Sequence, residues 1–127
     1  MNNLKFNAWD SEEKKMFTWI YIIQSAWRTT GFIHDILTKT RYDKLLFSGF
    51  TDSKGDELYA GDLLEGKGAG IKYFEIRYEE GGFVVYNNLG RWGTLARLFE
   101  ISKDDKYSFE CTRIGNIYEN KEILENA

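Results

Sequence analysis

The sequence predicts a mainly β fold, a β-rich α+β architecture in which short strands curl into a small sheet or barrel and helix is confined to one or two short pieces. Three observations predict it. Apolar residues alternate with polar ones along short stretches instead of recurring every third or fourth position. Clusters of glycine, asparagine and aspartate punctuate those stretches at short intervals. The 127 residues, 43% hydrophobic and 17% aromatic, suffice for one core, because a chain of this size buries roughly 65–70% of its unfolded surface and needs no disulfide or metal to hold it.

Taken in order, Leu4, Phe6 and Ala8 alternate with Lys5, Asn7 and Trp9, the period of a strand with one buried face. Asp10 to Glu13 reads as a polar turn. Lys14 to Ile23, dense in β-branched and aromatic residues, reads as the returning strand of an N-terminal hairpin. Between Gln24 and Asp43 the residues Phe32, Ile33, Ile36 and Leu37 fall at helical spacing behind Gly31, which predicts a short helix. Leu45 to Phe47 begins another strand, Asp52 to Asp56 supplies the residues of a tight reversal, and Glu57 to Tyr59 returns. Gly61 marks a bend before a short strand at Asp62 to Leu64, and Gly66 to Gly70 forms a loop. Ile71 to Tyr78 and Phe83 to Asn87 pair across the turn Glu79 to Gly82. Leu95 to Phe99 offers one helical turn, Tyr107 to Tyr118 contains a last strand, and Asn120 is placed to cap a short helix running to Ala127. One domain is expected, with residues 1–43 as an N-terminal hairpin and variable segment and residues 44–127 as the barrel and terminal helix.

Charge and cysteine content exclude several classes. The chain carries 17 basic and 20 acidic residues, net −3, opposite in sign to a general nucleic-acid coat. The segment from Arg28 to Lys44 is locally positive but too sparse to track phosphates. Cys111 is the only cysteine, so no intrachain disulfide forms and a reducing cytoplasm is expected. The longest apolar run, Met16 to Ile23, falls well short of the about 20 residues a membrane span requires, and the N-terminus has no signal-like apolar core.

The motifs that resemble reactive sites do not survive inspection. Gly61, Gly66 and Lys67 match most of a G-x-x-x-x-G-K loop, but Gly68 stands where the magnesium-binding hydroxyl belongs, and a strand follows where a helix should. Asp52, Asp56 and Glu57 gather acidic oxygens at a spacing that fails the calcium-loop pattern, and they read as turn formers. His34 is the only histidine, and Cys111 lies far from it in sequence with no nucleophile signature around it. No catalytic residue, cofactor or metal is therefore expected. Twenty-one aromatic residues exceed what a small core strictly needs, which assigns Trp19, Trp27, Arg28, Arg41, Arg91 and Trp92 to a candidate interaction surface.

Three blocks, in order, carry a family likeness. They are Lys5-Phe6-Asn7-Ala8-Trp9-Asp10 with Lys15-Met16; Phe47-Ser48-Gly49-Phe50-Thr51-Asp52 running through Gly55 to Gly61-Asp62-Leu63; and Ile114-Gly115-Asn116-Ile117-Tyr118-Glu119-Asn120. Together they resemble the YopX family of small phage and prophage proteins. Ala60, Leu63 and Lys121 depart from the family pattern, and segments 24–43 and 90–107 lie outside the likeness. The resemblance implies an SH3-like barrel preceded by N-terminal strands, encoded by a phage or prophage and acting in the cytoplasm of a bacterial host. It carries over no functional residue. The expectation is a non-enzymatic protein-binding or adaptor module, with an accessory nucleic-acid binder and a self-assembling structural component as alternatives.

Overall fold

A computed structural model describes residues 5–26, 28, 31–67, 71–102 and 110–125. The chain divides into two compact units, one ending at Phe47 and one beginning at Ser48.

In the first unit, β1 (Phe6–Asp10) pairs antiparallel with β2 (Lys15–Phe17) on one side and with β3 (Tyr42–Thr51) on the other. The hairpin turn closes at Lys14, whose φ is 57°. The expected long strand over Lys14 to Ile23 stops at Phe17, and α1 (Trp19–Ala26) follows. The reason lies in the cap. The Tyr21 amide donates to Thr18 Oγ1 at 3.3 Å, and the Trp19 amide donates to Asn7 Oδ1 at 3.0 Å, so two side chains satisfy amides that open the helix. The helical turn then buries Ile22 completely against Phe6, Ala8 and Ile36, a tertiary gain that overrides the strand preference of β-branched residues. The helix predicted behind Gly31 is α2 (Gly31–Thr38). Phe17, Tyr21, Phe32 and Tyr42 fit edge to face and stacked around it, which is where several of the surplus aromatics reside.

In the second unit, the end of β3 turns through Asp52–Asp56 into β4 (Glu57–Tyr59), with Gly55 at φ +90°. There follow β5 (Asp62–Lys67), β6 (Ile71–Glu79), β7 (Gly82–Asn87), β8 (Gly90–Thr94), α3 (Leu95–Ser102), β9 (Glu110–Asn116) and α4 (Glu122–Glu125). The sheet order is β8-β7-β6-β5-β9, all neighbours antiparallel. Its core contains Leu58, Leu64, Phe74, Ile76, Val85 and Cys111, closed by Leu95, Leu98 and Phe99 from one face of α3. That spacing confirms the helical turn read at Leu95 to Phe99. Thr94 Oγ1 accepts the Arg97 amide at 3.1 Å and caps the helix.

About half of the described residues are strand and a quarter helix, in a β-rich α+β fold with two antiparallel sheets and one half-barrel. Helix is more extensive than the one or two pieces expected: four are present among the described residues.

Candidate functional site

The second and third of the blocks that carry the family likeness meet at β9 and its surroundings. In the pairing of β5 with β9, Leu63 faces Gly115 and Leu64 faces Arg113, leaving Ile114 as a bulge. The bulge releases the Arg113 amide from the ladder, and it donates to Asp52 Oδ2 at 2.8 Å. Asp52 Oδ1 accepts the amides of Lys54 and Asp56, both at 2.9 Å. Burial pushes the Asp52 carboxyl up, but the amides of Arg113, Asp56 and Lys54 outweigh it and hold the group below its ordinary value. The Arg113 side chain reaches Asp62 Oδ1 through Nε at 3.1 Å, while Asp62 Oδ2 accepts the Tyr59 amide at 2.8 Å. Burial lifts the Asp62 carboxyl to about 6 against the opposing pull of Arg113.

Gly61 sits at φ +91°, a conformation only glycine adopts freely. Its amide donates to the Ile76 carbonyl and its carbonyl accepts from Ile117. Asn116 Oδ1 accepts the amides of Tyr118 and Glu119. The side chain of Asn120 does not cap α4 as the sequence suggested: its Oδ1 accepts the Asn116 amide at 3.3 Å. The Ile123 amide is taken instead by the Asn120 carbonyl. These acids and amides are struts of the fold.

Other charges are similarly engaged. Arg41 grips Asp10 with Nε and Nη2 at 3.1 and 2.7 Å, and that bond, opposed by burial, holds the Asp10 carboxyl low. On one face of the sheet Arg77 binds Glu75 at 2.9 and 3.3 Å and lies 3.8 Å from the Tyr86 ring centroid, while the Tyr86 hydroxyl donates to Glu79. Every buried side-chain nitrogen and oxygen among the described residues has a partner, and no group of three metal-ligating side chains is present among them. His34 is exposed on α2. Burial drives the Cys111 thiol up to about 12, far from the range of a reactive thiolate. Gly61 precedes β5 and Gly66 and Lys67 lie within it, where the sequence places a loop, and β6 rather than a helix follows.

The two ends of the five-stranded sheet differ. At β9 the turn after β3 covers the outer edge: Ser53 donates to the Cys111 carbonyl from both its amide and its hydroxyl, beside the Arg113 to Asp52 bond. At the opposite end β8 has no strand partner on its outer side among the described residues. Its pairing with β7 shifts between Val85 and Tyr86, so that Gly93 and Arg91 are matched and Trp92 is the extra residue. Bulges re-aim side chains at sheet edges. Here the Trp92 ring sits edge-on to Phe74, 5.8 Å between centroids, while 37% of the residue stays exposed. Arg91 is exposed beside it, and Leu89 at the hairpin tip is 91% exposed, its amide held by Asn87 Oδ1.

Of the residues assigned from sequence to an interaction surface, Arg91 and Trp92 are brought together on β8. Trp19, half-buried, packs its ring 4.9 Å from Phe6 in the first unit, where Arg41 is tied to Asp10. Arg28 is exposed just beyond α1, and Trp27 lies outside the described residues. Sequence reasoning missed Leu89, although an apolar residue between Asn87-Asn88 and Gly90 is itself a signal of an apolar turn tip. Ile20, Tyr21 and Ile23, in the apolar stretch to Ile23 that the sequence offers as the contact of a self-assembling component, are exposed on α1 rather than on a strand.

No helix among the described residues is long and apolar enough to cross a membrane. No curated protein matches the chain. Among solved structures it is similar to protein EF1440 from Enterococcus faecalis, known from a crystal structure, with a TM-score of 0.64 and 21% identity over 98% of this chain and 99% of that one. At that identity the likeness speaks for the fold. A family model described as YopX protein matches residues 5–125, nearly the full length, and the chain belongs to the YopX family.

Proposed function

We propose that this chain is a non-enzymatic protein-binding module that presents the β7–β8 hairpin to a partner. The observation that carries the reading is the asymmetry of the sheet: one end is covered by Asp52 and Ser53, while the other displays Leu89, Arg91 and a bulge-mounted Trp92. A tryptophan anchored on one side and wet on the other is typical of a binding hot spot. The engagement of the acidic side chains in backbone bonds supports a role without chemistry of their own. The family likeness supports a phage or prophage origin, and a lone buried thiol fits the reducing cytoplasm of a bacterial host.

The test compares immobilised wild-type chain with Leu89→Ser and Trp92→Ala variants in host-cell extract. The reading expects a protein recovered by the wild type and lost by both variants. Recovery of nothing above background, or of the same set by all three, refutes it.

A second reading, self-assembly, is favoured by the exposed Ile20, Tyr21 and Ile23 on α1, a helix without a charged residue. Light scattering that shows a monomer at high concentration removes it.

A further inference from the structure

We infer that the β7–β8 hairpin docks an acidic, extended polypeptide segment, with Trp92 as its apolar anchor and Arg91 as the charge that selects it; this rests on the binding-module reading above.

Charge complementarity argues for the occupant. In a chain of net charge −3, the stretch from Gly81 to Phe99 contains no acidic residue, and Arg91 and Arg97 are its two charged side chains. Arg77, on the neighbouring strand, is neutralised by Glu75 and covered by Tyr86, whereas Arg91 makes no ion pair among the described residues. Arg97 has only a loose, solvent-exposed approach to Glu100 at 3.8 Å, a contact worth little in water. The hairpin itself thus contributes only positive charge on an acidic protein, with the Glu75 and Glu79 carboxylates of β6 engaged by Arg77 and Tyr86, and such charge attracts carboxylates and repels cationic partners.

Main-chain geometry argues for an extended segment. The outer side of β8 has amides and carbonyls that no described strand takes up, so an extended backbone can pair along it. Addition of a strand at such an edge draws affinity from main-chain bonds and specificity from alternate side chains. The bulge limits the ladder to short runs on either side of Trp92, which suits a short segment anchored by one apolar residue beside the indole. Two arginines are few for a nucleic-acid site, since each neutralised phosphate of a single strand contributes only about 0.7 to the salt slope and the net charge opposes a polyanion.

The probe is a fluorescein-labelled synthetic peptide of about ten residues alternating Glu or Asp with Leu or Val around one Phe. It is compared with the same peptide carrying Gln and Asn, and with one carrying Lys. Anisotropy titrations run at about 50 mM and about 300 mM salt, across which screening should act strongly. The acidic peptide should bind about fivefold or more tighter than the amide version at low salt, with the gap shrinking at high salt. Arg91→Glu should shift the preference to the Lys peptide, and Trp92→Ala should weaken binding of the acidic peptide by about tenfold. Circular dichroism confirms that each variant is folded; should Trp92→Ala unfold, Leu89→Ser with the Arg91→Glu reversal serves as the test. Equal binding of acidic and neutral peptides, tighter binding of an oligothymidylate, or self-association lost on Trp92→Ala each overturns the inference. If the acidic preference fails while a Trp92-dependent partner is still recovered from extract, only the charge selection falls; if no such partner is recovered, the binding-module reading falls with it.

Discussion

Replacing Asp52 removes one carboxylate that three backbone amides share, and the structure apportions the cost. Hydrogen bonds to a charged acceptor contribute about 1.5–3 kcal/mol each in net terms. The amides of Lys54 and Asp56 lie in an exposed turn and rehydrate when the side chain is cut away, so each falls at or below the low end, about 1 kcal/mol. The Arg113 amide, 2.8 Å from Oδ2 at the bulge of β9, adds about 2 kcal/mol. Asp52→Ala should therefore lose about 4 kcal/mol, a large share of a stability of about 5–15 kcal/mol. Asp52→Asn retains Oδ1 for the turn but turns an NH2 group toward the Arg113 amide, and should lose about 2 kcal/mol. Urea denaturation followed by tryptophan fluorescence reads both values, with the slope unchanged. The acid limb adds a sign. The carboxyl ionises more easily folded than unfolded, so its contribution is present above the unfolded value near 4 and disappears as pH falls through the folded one. The Asn variant lacks that decline. An alanine variant within about 0.5 kcal/mol of wild type, or an Asn variant as costly as Ala, refutes the apportionment.

Asp62 runs the other way: its carboxyl, at about 6 in the fold against 3.8 unfolded, makes the protein lose about 3 kcal/mol relative to Asp62→Asn as pH rises from about 4 to about 6. Parallel pH profiles for the two proteins would remove that assignment. A Cβ on Gly115 would collide with the Asn120 side chain, so Gly115→Ala should cost about 1–3 kcal/mol. Added to Asn120→Gly the same change should cost measurably less, and full additivity in a double-mutant cycle argues against the clash. Cys111, buried and with its thiol raised to about 12, should resist a thiol-specific disulfide reagent at pH 8 until denaturant is added; rapid labelling of the native chain contradicts the packing.

Local chemistry was legible wherever it acts on its own residues. The reversal at Asp52–Asp56, the bend at Gly61 and the helical face Leu95, Leu98 and Phe99 follow from turn residues and spacing within a few positions. The segment Trp19–Ile23 misleads because its composition favours strand, while the deciding bond comes from Asn7, twelve residues earlier. Asn120 reads as a helix cap from its position before Glu122, whereas its side chain turns back to the Asn116 amide. The site was half legible. Arg91 and Trp92 stand out by residue type, yet their setting on a bulged strand with no described strand on its outer side depends on a register that no single stretch encodes. Trp19 and Arg41 share those residue types and are held by Phe6 and Asp10.

The cover that Asp52 and Ser53 place over β9 also governs how copies of this sheet add to one another. A fibril lengthens only if each member offers a vacant border on both flanks. With one flank closed by its own turn, joining through β8 terminates at a closed pair related by a two-fold axis. The turn acts as a chain terminator.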